Sequence, residues 1–404
     1  MGIITSILDT DLYGLHQGDF LFNNYPNAVG EYAYLCRDGS ELRHLRKPFM
    51  EQAEELSTLK LTAPERKYLE SNTLCSAGYL DHLQSAPVFD YKALDVGSYG
   101  NPFSLRYKGD ISTKILWEPT LMAVISQLNF EDKYGDRMDE IHEIGLKWAA
   151  EQAAFLNANA PEGWSFTEGG TRRRLSAAHQ RNVLSTLWND AKPFVNGTSN
   201  VLLGMELGMP IYGSIAHQLI MFYQTIVGLE KCNRQALVDY NKHFGGKLNM
   251  GLSDTLGNKK WDIDFTADLM EFCKKERWDS GDAYEWAELR LQALKREGVP
   301  TTGRTLNFSN DLNFVKAFNL YNSYKGVIDT SYMLGTYITN TLPIPGHRAV
   351  SQVIKLMWAS ADQYKYPLAP TIKTGADVDA SKLQCECPRL REFTTAYLAN
   401  LGGI

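Results

Sequence analysis

The chain has 404 residues, 44% of them hydrophobic and 22% charged, a composition that excludes a disordered or low-complexity protein and leaves room for a large core. At ~150 residues per domain, the length allows roughly two to three domains or one large barrel with additions. With 41 basic against 47 acidic residues the net charge is -6. That balance lacks the basic field of a nucleic-acid binder, so no nucleic-acid partner is expected.

The most apolar stretch, residues 219–229, is broken by Gln224 and is far short of the ~20 residues that cross a bilayer. It reads as a buried helix, and no membrane association is expected. The six cysteines are scattered without CxxC or Cys/His zinc spacing, which fits reduced thiols and a cytoplasmic location. Cys385 and Cys387 flank Glu386 and carry no assigned role.

In chain order, helical patterns at 48–59 and 63–69 alternate with strand-like runs at 31–36 and 103–107, predicting an α+β unit in the first hundred residues. A helical stretch follows. From Phe166 onward a different rhythm sets in: a short apolar run, a Gly/Ser/Thr/Asp turn, then an amphipathic segment. It is visible at 166–170, 209–213, 248–254, 305–310, 326–335 and 351–357, and predicts βα units. Such units build a doubly wound sheet or a closed barrel, and in both the ligands gather beyond the carboxyl ends of the strands. Neither G-x-x-x-x-G-K-[ST] nor G-x-G-x-x-G is present, so phosphate must be held by other means.

The polar clusters after these runs fall in a fixed order: ILDTDLYGLH (7–16), GGTRRRLS (169–176), NGTSN (196–200), GSIAH (213–217), LSDT (252–255), RWDSGD (277–282), NFSND (307–311) and LGT (334–336). In order, spacing and wording the chain resembles the nicotinate phosphoribosyltransferase family, from about residue 7 to 373. Tyr25-Pro26, LWEPTLMAVIS (116–126) and VIKL (353–356) match outside the expected site. The resemblance implies an α/β fold with an N-terminal α+β domain, residues 1–115 joined by 370–404, packed on a barrel-like (β/α) phosphoribosyltransferase domain of residues 116–369. It also implies a homodimer with shared active sites. The implied reaction forms nicotinate mononucleotide and pyrophosphate from nicotinate and phosphoribosyl pyrophosphate, with ATP hydrolysis and Mg2+, as the first step of NAD salvage.

By the same resemblance His217 is the histidine phosphorylated by ATP, with Gly213 and Ser214 before it as backbone donors. Neutral imidazole suits that task near pH 7, although a lone histidine also reads as a satisfied core residue. Arg172 matches the arginine that meets the nicotinate carboxylate, where a planar guanidinium fits. Arg173 and Arg174 read as solvated or phosphate-facing. Ser199 stands where nicotinamide-using relatives carry an aspartate, which would repel an acid, and it also reads as a helix N-cap.

Tyr13 resembles the tyrosine that stacks on the pyridine ring from the neighbouring subunit, with Asp11 beside it. Asp254 resembles a ribose-facing carboxylate, and Arg277 with Asp279 a pair that holds phosphate and ribose hydroxyls or magnesium. Ser280, Gly281, Ser309, Asn310, Gly335 and Thr336 complete an implied phosphate cradle. No metal ligand set is assigned.

The wording departs from the family at Gly14, Trp278, Asn310 and Met333, and in the stretch YPLAPTIKTG (366–375). Met333 replaces a glycine of a phosphate loop and is expected to crowd an approaching phosphate. These departures leave open a divergent nicotinamide-using enzyme or a catalytically silent relative.

Overall fold

The computed structural model describes residues 2–97, 103–213, 215–377 and 383–401. Among them are eleven strands: β1 (Val29–Cys36), β2 (Leu94–Val96), β3 (Leu105–Asp110), β4 (Phe166–Glu168), β5 (Val195–Thr198), β6 (Met250–Leu252), β7 (Lys275–Trp278), β8 (Thr305–Phe308), β9 (Asp329–Leu334), β10 (Gln352–Ser360) and β11 (Ala369–Pro370). They form two sheets. The first is antiparallel, in the order β11-β10-β1-β3-β2; the second is parallel, in the order β5-β4-β9-β8-β7-β6. An N-terminal α+β unit thus packs on a parallel βα unit, as the pattern of elements predicts.

Two of the six predicted βα strands are corrected. Residues 209–213 contribute only an isolated bridge from Ile211 to Thr198. Pro210 lacks an N–H, and Gly213 lies so close to the helix Leu12–Asn24 that a Cβ there would be 2.7 Å from the Tyr13 backbone nitrogen. The run 351–357 becomes β10, antiparallel to β1 in the first sheet. It is covered on both faces, so its residues read as the unbroken apolar run usual for a parallel strand. The first sheet therefore regains the chain at Gln352, not at residue 370, and the predicted boundary at 369 moves with it. β5, with its short polar sequence Val-Asn-Gly-Thr, carries no strand signal of its own.

Residues 217–243 form the predicted buried helix, broken by Gly228 at φ 73°. One apolar core runs from Ile3 to Cys385 and joins both sheets. Two polar seams add to it. At the first, Leu12 N–H donates to Ser199 O (2.8 Å), and the buried Arg174 grips Asp9 with two 2.7 Å hydrogen bonds. Arg174 is thus neither solvated nor phosphate-facing. At the second, the segment 371–376 crosses the loops after β6 and β7, with Thr374 N–H on Thr255 O (2.9 Å) and Ala376 N–H on Ser280 Oγ (2.9 Å). Breaking a buried pair such as Asp9–Arg174 costs about 3–5 kcal/mol, because one charge is left without a partner.

Candidate active site

The carboxyl ends of the parallel strands open into one cavity of about 1140 Å³, and the first sheet roofs it with Leu35 of β1, Arg37 just after it, and Val353 and Lys355 of β10. Arg172 follows β4, Asp279 and Ser280 follow β7, Ser309 and Asn310 follow β8, and Gly335 and Thr336 follow β9; all line the cavity, as do Tyr13, His217 and Arg277. Asp11, Ser199, Asp254 and Gly281 are not on its wall. Gly281 packs on the segment after Lys373, where a Cβ would meet Ala376 Cβ at 3.0 Å. Ser214 lies outside the described residues.

His217 begins its helix with the ring held on both sides. Nδ1 lies 3.0 Å from Thr255 Oγ1, and Nε2 lies 3.0 Å from Asp279 Oδ2 and 3.6 Å from Asp254 Oδ1. Burial, and then the nearby Lys373 ammonium, push its pKa down to about 4 against the pull of the two carboxylates, so the ring is neutral at pH 7. Asp279 also accepts from Arg277 Nη2 (2.7 Å) and lies 3.0 Å from Ser309 Oγ, which in turn accepts from Arg277 Nε (2.9 Å). Burial works to raise the Asp279 pKa, but the Arg277 guanidinium, followed by His217 and Lys373, outweighs it and holds the carboxyl well below its usual range.

Asp254 sits behind this layer, fully buried, with Oδ2 accepting from Ser280 Oγ (2.7 Å) and Lys373 Nζ (2.9 Å). Its Oδ1 is buried with no hydrogen-bond partner. One ligand atom each from His217, Asp254 and Asp279 lie within 4.8 Å of one another. Carboxylate oxygens, one of them unpartnered, are donors that suit a hard divalent cation.

On the same cavity wall Arg172 stands 3.5 Å from Asp11 Oδ2 and 3.5 Å from Glu118 Oε1, with its guanidinium carbon 5.8 Å from the centre of the Tyr13 ring. The two carboxylates are buried, whereas the arginine is 34% exposed and turns a free edge to the cavity. Ser199 Oγ donates to Asp11 Oδ1 (2.8 Å), so the serine braces the aspartate that braces the arginine. Tyr13 belongs to the same chain as the Arg172 beside it. The helix Leu12–Asn24 that carries it is tied to Ser199, the residue after β5, through Leu12 N–H.

Several lining residues were absent from the predicted set: Arg37, Glu118, Lys316, Lys355 and Lys373; Arg173 lines the cavity too, as its phosphate-facing reading requires. Glu118 and Lys355 belong to the LWEPTL and VIKL matches that were expected to lie outside the site. Among the described residues no carboxylate pairs with Arg37, Arg173 or Lys355. Burial, then neighbouring cations, push Arg173 down to about 10; burial pushes Lys355 down to about 8 and lowers Arg37. In total seven Lys or Arg and three Asp or Glu line the cavity, inside a chain whose net charge is -6. Desolvated cations without counterions are stable only where an anion completes them.

Two positions that depart from the family wording are structural. Gly14 packs on Leu116, where a Cβ would stand 3.2 Å from Cδ2, and Trp278 is buried against Phe308. Met333 lies over Gly169 and is not on the cavity wall, so the expected crowding of a phosphate is not seen there.

A parallel βα unit with a cation-rich cavity at its strand ends, and carboxylates beside a neutral histidine, defines the class of α/β enzymes that handle phosphate esters. Residues 8–126 match the NAPRTase N-terminal domain and residues 164–368 the nicotinate phosphoribosyltransferase (NAPRTase) family. The chain belongs to the nicotinate phosphoribosyltransferase family. It is 30% identical over 365 residues to a nicotinate phosphoribosyltransferase of Ectopseudomonas mendocina, covering 88% of this chain and 89% of that one. It is 28% identical over 361 residues to nicotinate phosphoribosyltransferase 1 of Pseudomonas aeruginosa, covering 88% of each. Its fold is similar to crystal structures of nicotinate phosphoribosyltransferases from Porphyromonas gingivalis (TM-score 0.87, 25% identity, 99% of this chain and 100% of that one) and Vibrio cholerae (TM-score 0.88, 26% identity, 99% and 93%). Among the described residues no helix is long and apolar enough to cross a membrane.

Proposed function

We propose that the chain transfers the phosphoribosyl group of phosphoribosyl pyrophosphate to the ring nitrogen of nicotinate, giving nicotinate mononucleotide and pyrophosphate with ATP hydrolysis, the first step of NAD salvage. The observation that carries this reading is that one cavity holds both kinds of group. Arg172 beside Tyr13 offers a carboxylate and an aromatic ring a place, and Arg37, Arg173 and Lys355 on the same wall offer phosphates a place.

In the transfer the bond from the ribose anomeric carbon to the pyrophosphate oxygen breaks, and a bond to the pyridine nitrogen forms. Positive charge grows on the ribose while the leaving group gains negative charge. Asp279, held by Arg277 and Ser309, faces the former; Ser280, Ser309, Asn310, Gly335 and Thr336, with the cations, receive the latter. Because these groups are already oriented by their own hydrogen bonds, little reorganisation accompanies the charge separation. Asp254 and Asp279 are the residues that would hold Mg2+, which when bound supplies charge neutralisation for the departing pyrophosphate. His217 is the phosphoacceptor for ATP.

Ser199 favours the acid over the amide. Ser199→Asp would set a second carboxylate against buried Asp11, and either would draw Arg172 off its free edge. The expected result is a loss of about 2–4 kcal/mol in transition-state binding of nicotinate, roughly 30- to 1000-fold in kcat/KM, with nicotinamide affected far less. Equal losses for both bases would refute this role.

The proposal is tested by product formation from nicotinate and phosphoribosyl pyrophosphate with Mg2+, with and without ATP, with nicotinamide in parallel, over a wide dilution range. The expected result is nicotinate mononucleotide formed faster with ATP, and a specific activity that falls when dilution dissociates a homodimer whose subunits share active sites. No product from either base would favour a silent relative, and a preference for nicotinamide a divergent one.

A further inference from the structure

We propose that Glu168 is a positioning residue for the substrate carboxylate: its two oxygens tie the turn that carries Arg172 to the strand end that carries Ser199, and so fix the place of the guanidinium. The inference rests on the reading that Arg172 takes the carboxylate of nicotinate. Glu168 is the last residue of β4, fully buried, and is not on the cavity wall. It acts, therefore, only through its neighbours. Oε1 accepts from Gly170 N–H and from Gln180 Nε2 (3.0 Å), and Oε2 accepts from Thr198 Oγ1.

Two paths lead from this carboxyl to Arg172. The first runs through Gly170, two residues before the arginine. Its N–H is held by Glu168, its carbonyl accepts from Thr339 Oγ1 (3.0 Å), and a Cβ there would lie 2.3 Å from that hydroxyl, so the turn has little room to shift. The second runs through Thr198 to Ser199, whose N–H donates to Glu168 O (2.7 Å) and whose Oγ donates to Asp11 Oδ1 (2.8 Å); Asp11 Oδ2 stands 3.5 Å from Arg172. Because Asp11 and Glu118 hold the guanidinium only at 3.5 Å, its place depends on the main chain beneath it. The donors to Glu168 are all neutral: a main-chain N–H, an amide and a hydroxyl. Burial, with the Asp11 carboxylate adding to it, pushes its pKa up to about 7 against the pull of these donors. The hold is thus one of hydrogen bonds and not of charge. A glutamine, accepting at Oε1 and reaching Thr198 Oγ1 with its amide, reproduces it.

The test measures kcat, and KM for nicotinate and for phosphoribosyl pyrophosphate, alongside the melting temperature. The chains compared are wild type, Glu168→Gln, Glu168→Ala, Arg172→Met and the double variant Glu168→Ala/Arg172→Met. Glu168→Ala should raise KM for nicotinate about tenfold or more, the scale on which groups that orient a ligand-binding side chain act, while kcat and KM for phosphoribosyl pyrophosphate move less than about threefold. Glu168→Gln should stay within about threefold of wild type in all three constants. In the Arg172→Met background Glu168→Ala should add nothing to KM for nicotinate, because both changes act through one guanidinium.

A KM for nicotinate unmoved in Glu168→Ala, equal losses for both substrates, a Glu168→Gln as impaired as Glu168→Ala, or additive losses in the double variant overturns the proposal. A KM for nicotinate unchanged in Arg172→Met overturns the reading of Arg172 itself, and the proposal with it. Should Glu168→Ala fail to fold, Thr198→Val cuts the Oε2 path alone with little change in volume. It should raise KM for nicotinate in the same selective way, and an unmoved KM counts against the idea.

Discussion

Arg172→Met is expected to reduce kcat/KM for nicotinate by about 3 kcal/mol or more, on the order of a hundredfold to a thousandfold, because truncating one partner of a buried charge pair costs about 2–5 kcal/mol. The arginine is held loosely by its own chain: Asp11 and Glu118 each lie at 3.5 Å, beyond the 2.7–2.9 Å of a tight charge-assisted contact. The free edge of the guanidinium is thus available to a substrate carboxylate, which binds it in a planar, bidentate way that lysine cannot reproduce. Arg172→Lys should accordingly retain charge attraction and still lose most of the activity. The same substitution to methionine leaves two buried carboxylates without their cation, so the melting temperature should also fall. Glu118 keeps its hydrogen bond from Gln218, which limits the fall to the share borne by Asp11. Nicotinate turnover that survives Arg172→Met, in a variant whose melting temperature shows the expected fall, would remove Arg172 from the substrate contact.

What was legible in the sequence follows from how each residue reaches the cavity. Arg172, Asp279, Ser309 and Thr336 stand one to four residues beyond a parallel strand, so the local pattern of apolar run and polar turn already places them at the ligand-binding edge. Tyr13 and His217 stand in the first turn of long helices, and the family resemblance, not the strand pattern, is what singled them out. Lys355 and Arg37 reach the cavity from the antiparallel sheet, where Lys355 pairs with Ala33 across more than three hundred residues of sequence. No local period encodes that pairing. The only trace was a lysine inside the apolar run VIKL, a position that a buried strand leaves charged only for a reason. Lys373 was hidden likewise, since its partner Asp254 is 119 residues away.

Other residues were found but assigned the wrong layer. Asp254 and Ser199 were expected on the wall and stand one residue behind it, supporting Asp279, His217 and Arg172. The difference depends on side-chain direction at the strand ends, which spacing alone does not give. Met333 was expected to crowd a phosphate. It packs over Gly169, off the cavity wall, because β9 lies next to β4, not next to the strands that carry Asp254 and Asp279.

His217→Asn is expected to leave phosphoribosyl transfer measurable while abolishing ATP hydrolysis in step with turnover, because the group that takes the phosphoryl would be gone. Both ring nitrogens are held, Nδ1 by Thr255 Oγ1 and Nε2 by Asp279 Oδ2, so one of these contacts gives way when the ring takes the phosphoryl group. The pH dependence follows from the depressed pKa. With the folded value near 4 and the unfolded value near 6.5, the neutral ring stabilises the fold above about pH 6.5, and that stability is lost as the pH falls toward 4. Within that window the folded protein keeps a neutral nucleophile, and ATP-stimulated turnover should not titrate with the ordinary histidine value. Burial is the main cause and Lys373 the second, so Lys373→Met removes one positive charge and leaves Asp254 and Asp279 to pull the proton onto the ring. In that variant the His217 ring signal followed by NMR should titrate at higher pH than in the wild type, and the acid limb of ATP stimulation should move up in pH with it, while Lys373→Arg keeps the wild-type profile. An identical His217 titration in Lys373→Met would assign the neutral ring to burial alone and leave Lys373 only the task of holding Asp254.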